Sequence, residues 1–97
     1  MGKKVIRTKT EKERTTHRLK IARGHLSKLI DMVENDSYCI DLITQSLAVR
    51  KAMESVENII LKQHLRTCFK KAMTESSRET QEEMINEIVN IQDYHNR

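Results

Sequence analysis

The chain contains no proline and no tryptophan, only two glycines, and three aromatic residues among its 97. With 37% apolar residues and so few aromatics, a monomer of this size buries only a thin core, and oligomerisation is the expected remedy. Neither glycine nor proline occurs between Asp36 and Lys71. Because these two residue types are the main breakers of helices, we expect that whole segment to form one helix.

Long apolar runs are also absent. No stretch approaches the length of a membrane span, and no apolar segment follows the basic N-terminus as it would in a signal peptide. We therefore expect a cytoplasmic protein with no membrane partner. Cys39 and Cys68 are the only cysteines, and a helix places them too far apart to pair within one chain. They are expected to be reduced thiols and not a disulfide.

Periodicity divides the chain into three helices without a strand. Helix one is expected to begin near Thr10, where Thr10 and Glu13 match a capping box, and to end near Asn35. Asp36 or Ser37 is expected to cap helix two. The predicted fold class is all-α.

A shorter third helix is expected after a polar link over residues 74–77. Ser76 and Glu79 match a second capping box at its start. The apolar stripes predicted for helices one and three are Leu19, Ala22, Leu26, Leu29, Ile30 and Val33, and Met84, Ile85, Ile88 and Ile91. We divide the chain into a basic N-terminal arm with the start of helix one, residues 1–16, and a single three-helix domain, residues 17–97.

Positive charge is concentrated at the N-terminus. Residues 1–20 hold eight Lys or Arg and two Glu, a net charge of +6, so the other 77 residues carry −2 of the total of +4. A basic arm that leads into a helix is typical of a phosphate-binding surface, and a solvated tail is the alternative. No zinc finger, leucine zipper or helix-turn-helix pattern is visible. Any nucleic acid would therefore be bound by the surface of an oligomer.

Cys39, His64 and Cys68 are the candidate functional residues. His64 and Cys68 lie four residues apart on one helical face and form half of a soft-metal site. At about 1.5 Å per residue, Cys39 lies roughly 37 Å from His64 along the same helix, so one chain cannot complete the site. A second, antiparallel copy would supply its own Cys39 and build two equivalent sites per dimer. Structural cysteines, and a histidine that only satisfies a neighbour, are the alternative.

Catalysis is not expected. Cys39 and His64 match a nucleophile and a base in residue type only, because no phosphate cradle or oxyanion hole is recognisable and three polar helices form no deep pocket for a small organic substrate. A metal-storage or thiol-redox protein that never contacts DNA is the alternative to a DNA-binding protein.

Four segments carry a family signature: Tyr38-Cys39-Ile40-Asp41, Leu42-Ile43-Thr44-Gln45, Ala48-Val49-Arg50 and His64-Leu65-Arg66-Thr67-Cys68. They resemble the copper-sensitive operon repressor (CsoR) family of bacterial transcriptional repressors, which also contains nickel/cobalt, formaldehyde and persulfide sensors. The resemblance covers most of residues 17–94. It implies an antiparallel four-helix bundle homodimer, a homotetramer built as a dimer of dimers, and an operator DNA complex that dissociates when the effector binds.

The resemblance also implies the metal. In the family's copper sensors, Cu(I) is held by the residues that match Cys39 of one protomer and His64 and Cys68 of the other. Two thiolates and one imidazole form a soft ligand set, which suits Cu(I) better than Ca²⁺, Mg²⁺ or Mn²⁺. Formaldehyde sensors lack the cysteine at the Cys68 position and persulfide sensors lack the histidine at the His64 position. Nickel/cobalt sensors add N-terminal histidines, for which His17 is a candidate. A nickel/cobalt- or persulfide-responsive repressor is thus the alternative within the family.

Further roles follow from the resemblance residue by residue. Tyr38 matches the tyrosine beside the first cysteine. The glutamate that orients the histidine would fall at Met84 by the family's usual interval, and Glu87 takes its place if the preceding loop is about three residues longer. The candidate phosphate contacts are Arg18, Lys20, Arg23, Arg50 and Lys51. Phosphate contacts position a protein without specifying bases, so the operator sequence cannot be read from them.

Overall fold

The computed structural model describes residues 7–95, and the regular secondary structure within them is entirely helical. It comprises α1 (Lys9–Glu34), α2 (Cys39–His64), a π-helical turn (Leu65–Phe69), α3 (Lys70–Glu75) and α4 (Arg78–His95). The backbone stays helical without interruption from Cys39 to Glu75, so these residues form three successive helical segments. The all-α, three-helix prediction is confirmed. Between residues 7 and 95, no helix is both long enough and apolar enough to cross a membrane.

The first helix begins earlier than the sequence predicted. Thr8 is the N-cap: its hydroxyl accepts a hydrogen bond from the Glu11 N–H at 3.1 Å, and the Glu11 carboxylate accepts one from the Thr8 N–H at 3.0 Å. The capping box predicted for Thr10 and Glu13 is therefore wrong. Both pairs have the Thr-x-x-Glu spacing, and the earlier pair lets Lys9 and Thr10 join the helix with its first N–H groups satisfied.

The end of α1 is a Schellman motif formed by the two residues that were expected to cap helix two. Asp36 has a left-handed backbone, with φ of 56°, and donates its N–H to the Val33 carbonyl at 3.1 Å. Ser37 donates its N–H to the Met32 carbonyl at 3.0 Å. The helix that follows begins only at Cys39. The cap predicted at Asp36 or Ser37 is wrong because both residues satisfy carbonyls of α1 instead.

The link between α3 and α4 is shorter than predicted, because α3 continues to Glu75. Ser77 caps α4, with its hydroxyl oxygen 3.3 Å from the Thr80 N–H that it accepts. Ser76 is the residue that ends α3, so the capping box predicted for Ser76 and Glu79 is wrong. The cap is displaced by one residue because the preceding helix takes up part of the expected link.

The side chain of Gln81 joins α4 to the end of α3. Its amide donates to the Met73 carbonyl at 3.1 Å and to the Ser76 carbonyl at 3.0 Å. Carbonyls in the last turn of a helix have no helical N–H to accept from, and this side chain takes that role. The turn between the two helices is thereby fixed from both sides.

Two compact units divide the chain between Leu61 and Lys62, and each has a small interior. Within the described residues, the buried apolar side chains of the first unit are Ala22 and Val56, and those of the second are Ala72 and Met84. The thin core expected from the composition is confirmed in each unit.

Much of the predicted apolar stripes stays accessible. In α1, Ala22 is buried and Leu29 is half-buried. The other four stripe positions are 44–56% exposed, namely Leu19, Leu26, Ile30 and Val33. In α4, Met84 is buried and Ile88 half-buried, while Ile85 and Ile91 are exposed. Contiguous accessible apolar side chains of this kind are typical of a surface that another protein covers.

Candidate metal centre

His64 and Cys68 lie where the helix changes its hydrogen-bonding pattern. His64 is the last residue of α2, and Cys68 belongs to the π-helical turn that follows. Both side chains are half-buried, and the imidazole packs beside the Phe69 ring with the centroids 6.3 Å apart and the planes tilted by 57°. Single π-helical turns within α-helices occur frequently at functional sites. The predicted pair of ligands therefore lies within one locally specialised segment.

The hydroxyl of Thr67 lies beside the sulfur of Cys68. Its Oγ1 is 2.6 Å from the Gln63 carbonyl oxygen and 3.6 Å from Cys68 Sγ. The first distance is that of a short hydrogen bond in which the hydroxyl donates to the backbone. The second is within the longer range that hydrogen bonds to sulfur reach. Thr67 is thus the polar neighbour of one predicted ligand.

Cys39 is the first residue of α2 and is exposed. Its neighbour Tyr38 is 69% exposed, and the Tyr38 carbonyl accepts the Leu42 N–H at 3.1 Å as the first bond of the helix. The N-terminus of a helix carries partial positive charge and favours a negatively charged group such as a metal-binding thiolate. Both Cys39 and Cys68 are free thiols.

His64 and Cys68 are close along one stretch of helix, whereas Cys39 belongs to the other compact unit. Within residues 7–95, no group of three or more His, Cys, Asp and Glu side chains is placed to hold a metal ion. The chemistry of the donor set nevertheless fits Cu(I), because two free thiols and one imidazole are soft ligands. A single chain presents this set in two separate parts.

Glu87, the carboxylate expected near the histidine, lies exposed on α4. Met84, which stands at the family's usual interval, is buried in the interior of its unit. A buried thioether packs and does not orient an imidazole, so Glu87 is the better placed of the two for a polar role.

The candidate phosphate contacts are all exposed. Three lie on α1 and two on α2, namely Arg18, Lys20 and Arg23, and Arg50 and Lys51. His17 on α1 is exposed as well. Lys3 and Lys4 of the predicted basic arm lie outside the described residues. The exposed cations of the first unit are therefore available to a polyanion.

Sequence reasoning did not single out Thr67 or Phe69. Each is adjacent to Cys68 in the chain, and adjacency to a predicted ligand is the one signal that pointed to them. The contacts themselves depend on the rotamers and on the π-helical turn, which no residue type in Leu65–Phe69 announces.

The family model for metal-sensitive transcriptional repressors matches residues 11–93. The chain belongs to this family. The resemblance drawn from the signature segments is thereby confirmed, and the family is one of transcriptional repressors, not of enzymes.

Curated relatives of this metal-sensitive repressor carry copper-sensing names. The chain is 45% identical over 65 residues to the copper-sensing transcriptional repressor CsoR of Mycobacterium ulcerans (strain Agy99), which covers 66% of this chain and 56% of that protein. It is 35% identical over 81 residues to CsoR of Bacillus subtilis (strain 168), covering 84% of this chain and 77% of that one. The chain thus spans little more than half the length of the mycobacterial relative.

A solved structure has the same fold. The crystal structure of the copper-sensing repressor CsoR with Cu(I) from Geobacillus thermodenitrificans NG80-2 matches with a TM-score of 0.85 and 30% sequence identity, over 99% of this chain and 97% of that one. The similarity extends over the whole metal-sensitive repressor chain and not only over its signature segments.

Proposed function

We propose that this protein is a cytoplasmic, copper(I)-responsive transcriptional repressor that binds operator DNA in its metal-free form and leaves it when Cu(I) binds. The observation that carries the proposal is the set of two free thiols and one imidazole, Cys39, His64 and Cys68, at the family's signature positions. A structural neighbour of the same fold contains Cu(I). Catalysis has no part in this function.

The proposed assembly is an antiparallel four-helix bundle homodimer, two of which form a homotetramer. The exposed apolar stripe of α1 supports it, and α2 adds accessible apolar side chains of its own, namely Ile40, Ile43, Leu47 and Met53. Two helices with accessible apolar faces are the elements from which a four-helix bundle forms when two chains pair. Residues 17–97 would form the sensor domain, and residues 1–16 the basic arm with the start of α1.

The metal ligands would come from both protomers. Cys39 begins α2 and His64 ends it, so the spacing that separates them in the sequence is a helical one. Antiparallel pairing of α2 with its copy brings the start of one helix to the end of the other. When bound, Cu(I) acts as a soft Lewis acid that draws thiolates and an imidazole together. Cys39 of one chain, and His64 and Cys68 of the other, would hold it.

Two further residues would orient the ligands. Tyr38 directly precedes Cys39 at the start of α2, and Glu87 on α4 carries the carboxylate proposed to hold the imidazole through its other nitrogen. A carboxylate on a separate helix would convert a change at His64 into a change in the position of α4.

Operator DNA would be bound by the exposed cations of α1 and α2 together with the basic arm. Arg50 has the strongest support, because it is exposed and lies in the Ala48-Val49-Arg50 segment of the family signature. Such contacts neutralise phosphates and release counterions, which makes affinity depend strongly on salt.

Fluorescence anisotropy with a labelled fragment of the protein's own promoter tests the proposal. The metal-free protein should bind the fragment at low salt, and one Cu(I) per chain should release it. Nickel(II), cobalt(II) and an inorganic persulfide, each added instead of copper, should leave the complex intact. Absence of binding to the fragment would favour a metal or thiol protein that does not contact DNA, and release by nickel or persulfide alone would reassign the effector.

A further inference from the structure

The Thr67 hydroxyl has two acceptors within reach and one hydrogen to give. Its oxygen lies 2.6 Å from the Gln63 carbonyl oxygen and 3.6 Å from Cys68 Sγ. A hydroxyl has a single O–H that rotates to suit its surroundings. A change of partner therefore requires rotation of the O–H alone and no movement of the backbone.

The charge on the sulfur decides which acceptor is preferred. A neutral thiol is a weak acceptor, so the metal-free chain places the hydrogen on the Gln63 carbonyl, as the short distance indicates. A metal-bound cysteine is a thiolate, and hydrogen bonds to ionised acceptors are roughly twice as strong as those between neutral groups. The balance then favours the sulfur.

We propose that Thr67 is a positioning residue for the metal ligand Cys68, whose hydroxyl donates to the Gln63 carbonyl in the metal-free chain and to the Cys68 sulfur when a soft monovalent metal is bound. This inference rests on the proposed copper function and deepens it. The bond holds the sulfur in one orientation and stabilises its negative charge.

The change of partner also reaches the backbone. Gln63 lies two residues before the π-helical turn, and a Thr hydroxyl bonded to a carbonyl four residues earlier bends the helix that contains it. Metal binding would release that carbonyl from Thr67. The metal-bound and metal-free chains would therefore differ in the hydrogen bonding at the start of the turn that contains Cys68.

Matched variants separate the hydroxyl from the rest of the side chain. Thr67→Val keeps the shape and removes the donor, Thr67→Ser keeps the donor, and Thr67→Ala is a second donor-free variant with a higher helix propensity. Thr74→Val is the control, because the Thr74 hydroxyl also bonds to helix carbonyls, at 3.2 Å and 3.1 Å, in a helix that contains no ligand. Circular dichroism of each variant establishes that its helices are formed.

Two readouts are measured on the full chain: Cu(I) affinity by competition with a chromophoric chelator, and the energy of the sulfur-to-copper charge-transfer absorption. Thr67→Val and Thr67→Ala should weaken Cu(I) binding by roughly 10-fold or more, as the loss of a group that supports a ligand typically does. Their absorption band should move to lower energy, because the sulfur lone pairs lose a hydrogen bond. Thr67→Ser and Thr74→Val should match the wild type in both readouts.

Wild-type affinity and band position in both donor-free variants would overturn the inference, and so would a loss in Thr67→Ser equal to that in Thr67→Val. In either case a wild-type protein that binds Cu(I) and releases its operator keeps the proposed function intact. A wild-type protein that binds no Cu(I) would instead overturn the function, and this inference with it.

Discussion

The side chain of Gln45 donates a hydrogen bond of 2.9 Å to the main-chain carbonyl of His25 and so joins α2 to α1. Gln45 is the one buried polar residue within the described part of the chain. The bond fixes the position of one helix along the other within the first unit. It occurs in the part of the chain whose apolar interior is smallest, where a directional contact contributes most to a unique packing.

Replacing Gln45 with methionine should lower the free energy of unfolding by about 1 kcal/mol, because the apolar volume is kept while one buried hydrogen bond is lost. Urea denaturation at a fixed protein concentration measures the change. Gln92→Met on the exposed surface of α4 is the control and should change stability little. Equal effects of the two substitutions would show that the contact with His25 contributes nothing.

Replacing Asp36 with glycine should stabilise the protein by roughly 0.5–1 kcal/mol, because only glycine adopts a left-handed backbone without steric cost. Asp36→Ala should have the opposite sign, since alanine has the steric cost and lacks the polar side chain that makes aspartate tolerable there. Thermal denaturation of the two variants gives both signs in one experiment. Destabilisation by glycine would contradict the left-handed geometry.

Mixed dimers should reveal the origin of the ligands. A dimer of one Cys39→Ala chain and one Cys68→Ala chain, isolated with two affinity tags, should hold one complete Cu(I) site, whereas the wild type has two and each variant homodimer none. Copper bound in the presence of a competing chelator measures this. Failure of the mixed dimer to retain copper, with all dimers folded, would rule out a site shared between protomers.

Arg50→Ala should reduce the salt dependence of operator binding. The slope of log affinity against log salt should become flatter by about one unit, because one phosphate contact is lost. Arg78→Ala removes the same charge from the exposed N-terminus of α4 and should leave the slope unchanged. An identical slope in the wild type and Arg50→Ala would exclude Arg50 from the DNA surface.

His64→Ala should separate metal binding from DNA release. Cys39 and Cys68 would still bind Cu(I), but the route from the metal through the imidazole to Glu87 would be lost. Linkage requires copper and operator to weaken each other's binding equally, by typically about 1–3 kcal/mol. Operator affinity with and without one Cu(I) per chain should show little of this coupling in the variant. Full release by His64→Ala would remove the histidine from the mechanism.

The sequence was sufficient to predict the helices but not their ends. The absence of Gly and Pro after Asp36 and the apolar periodicity predicted three helical segments, because both properties extend over many residues. Thr8 and Thr10 carry equivalent capping patterns, so the choice between them depends on which start satisfies more backbone groups. Asp36 at a left-handed position was missed because glycine is the residue that normally marks it.

The candidate site divides in the same way. The spacing of His64 and Cys68, and the family signature around Cys39, identified the ligand residues without any structure. The contact of Thr67 with Cys68 depends on a side-chain rotamer and on local backbone geometry. No pattern of residue types encodes either, so this part required atomic positions.

The small interiors of the two units make folding and association one event. Ala22, Val56, Ala72 and Met84 are the apolar side chains that the chain buries by itself within residues 7–95. In the proposed dimer, most of the apolar burial is gained only when a partner is present, and each protomer acts as the other's core. Unfolding is then bimolecular in reverse, so a melting temperature or a free energy of unfolding has meaning only at a stated chain concentration.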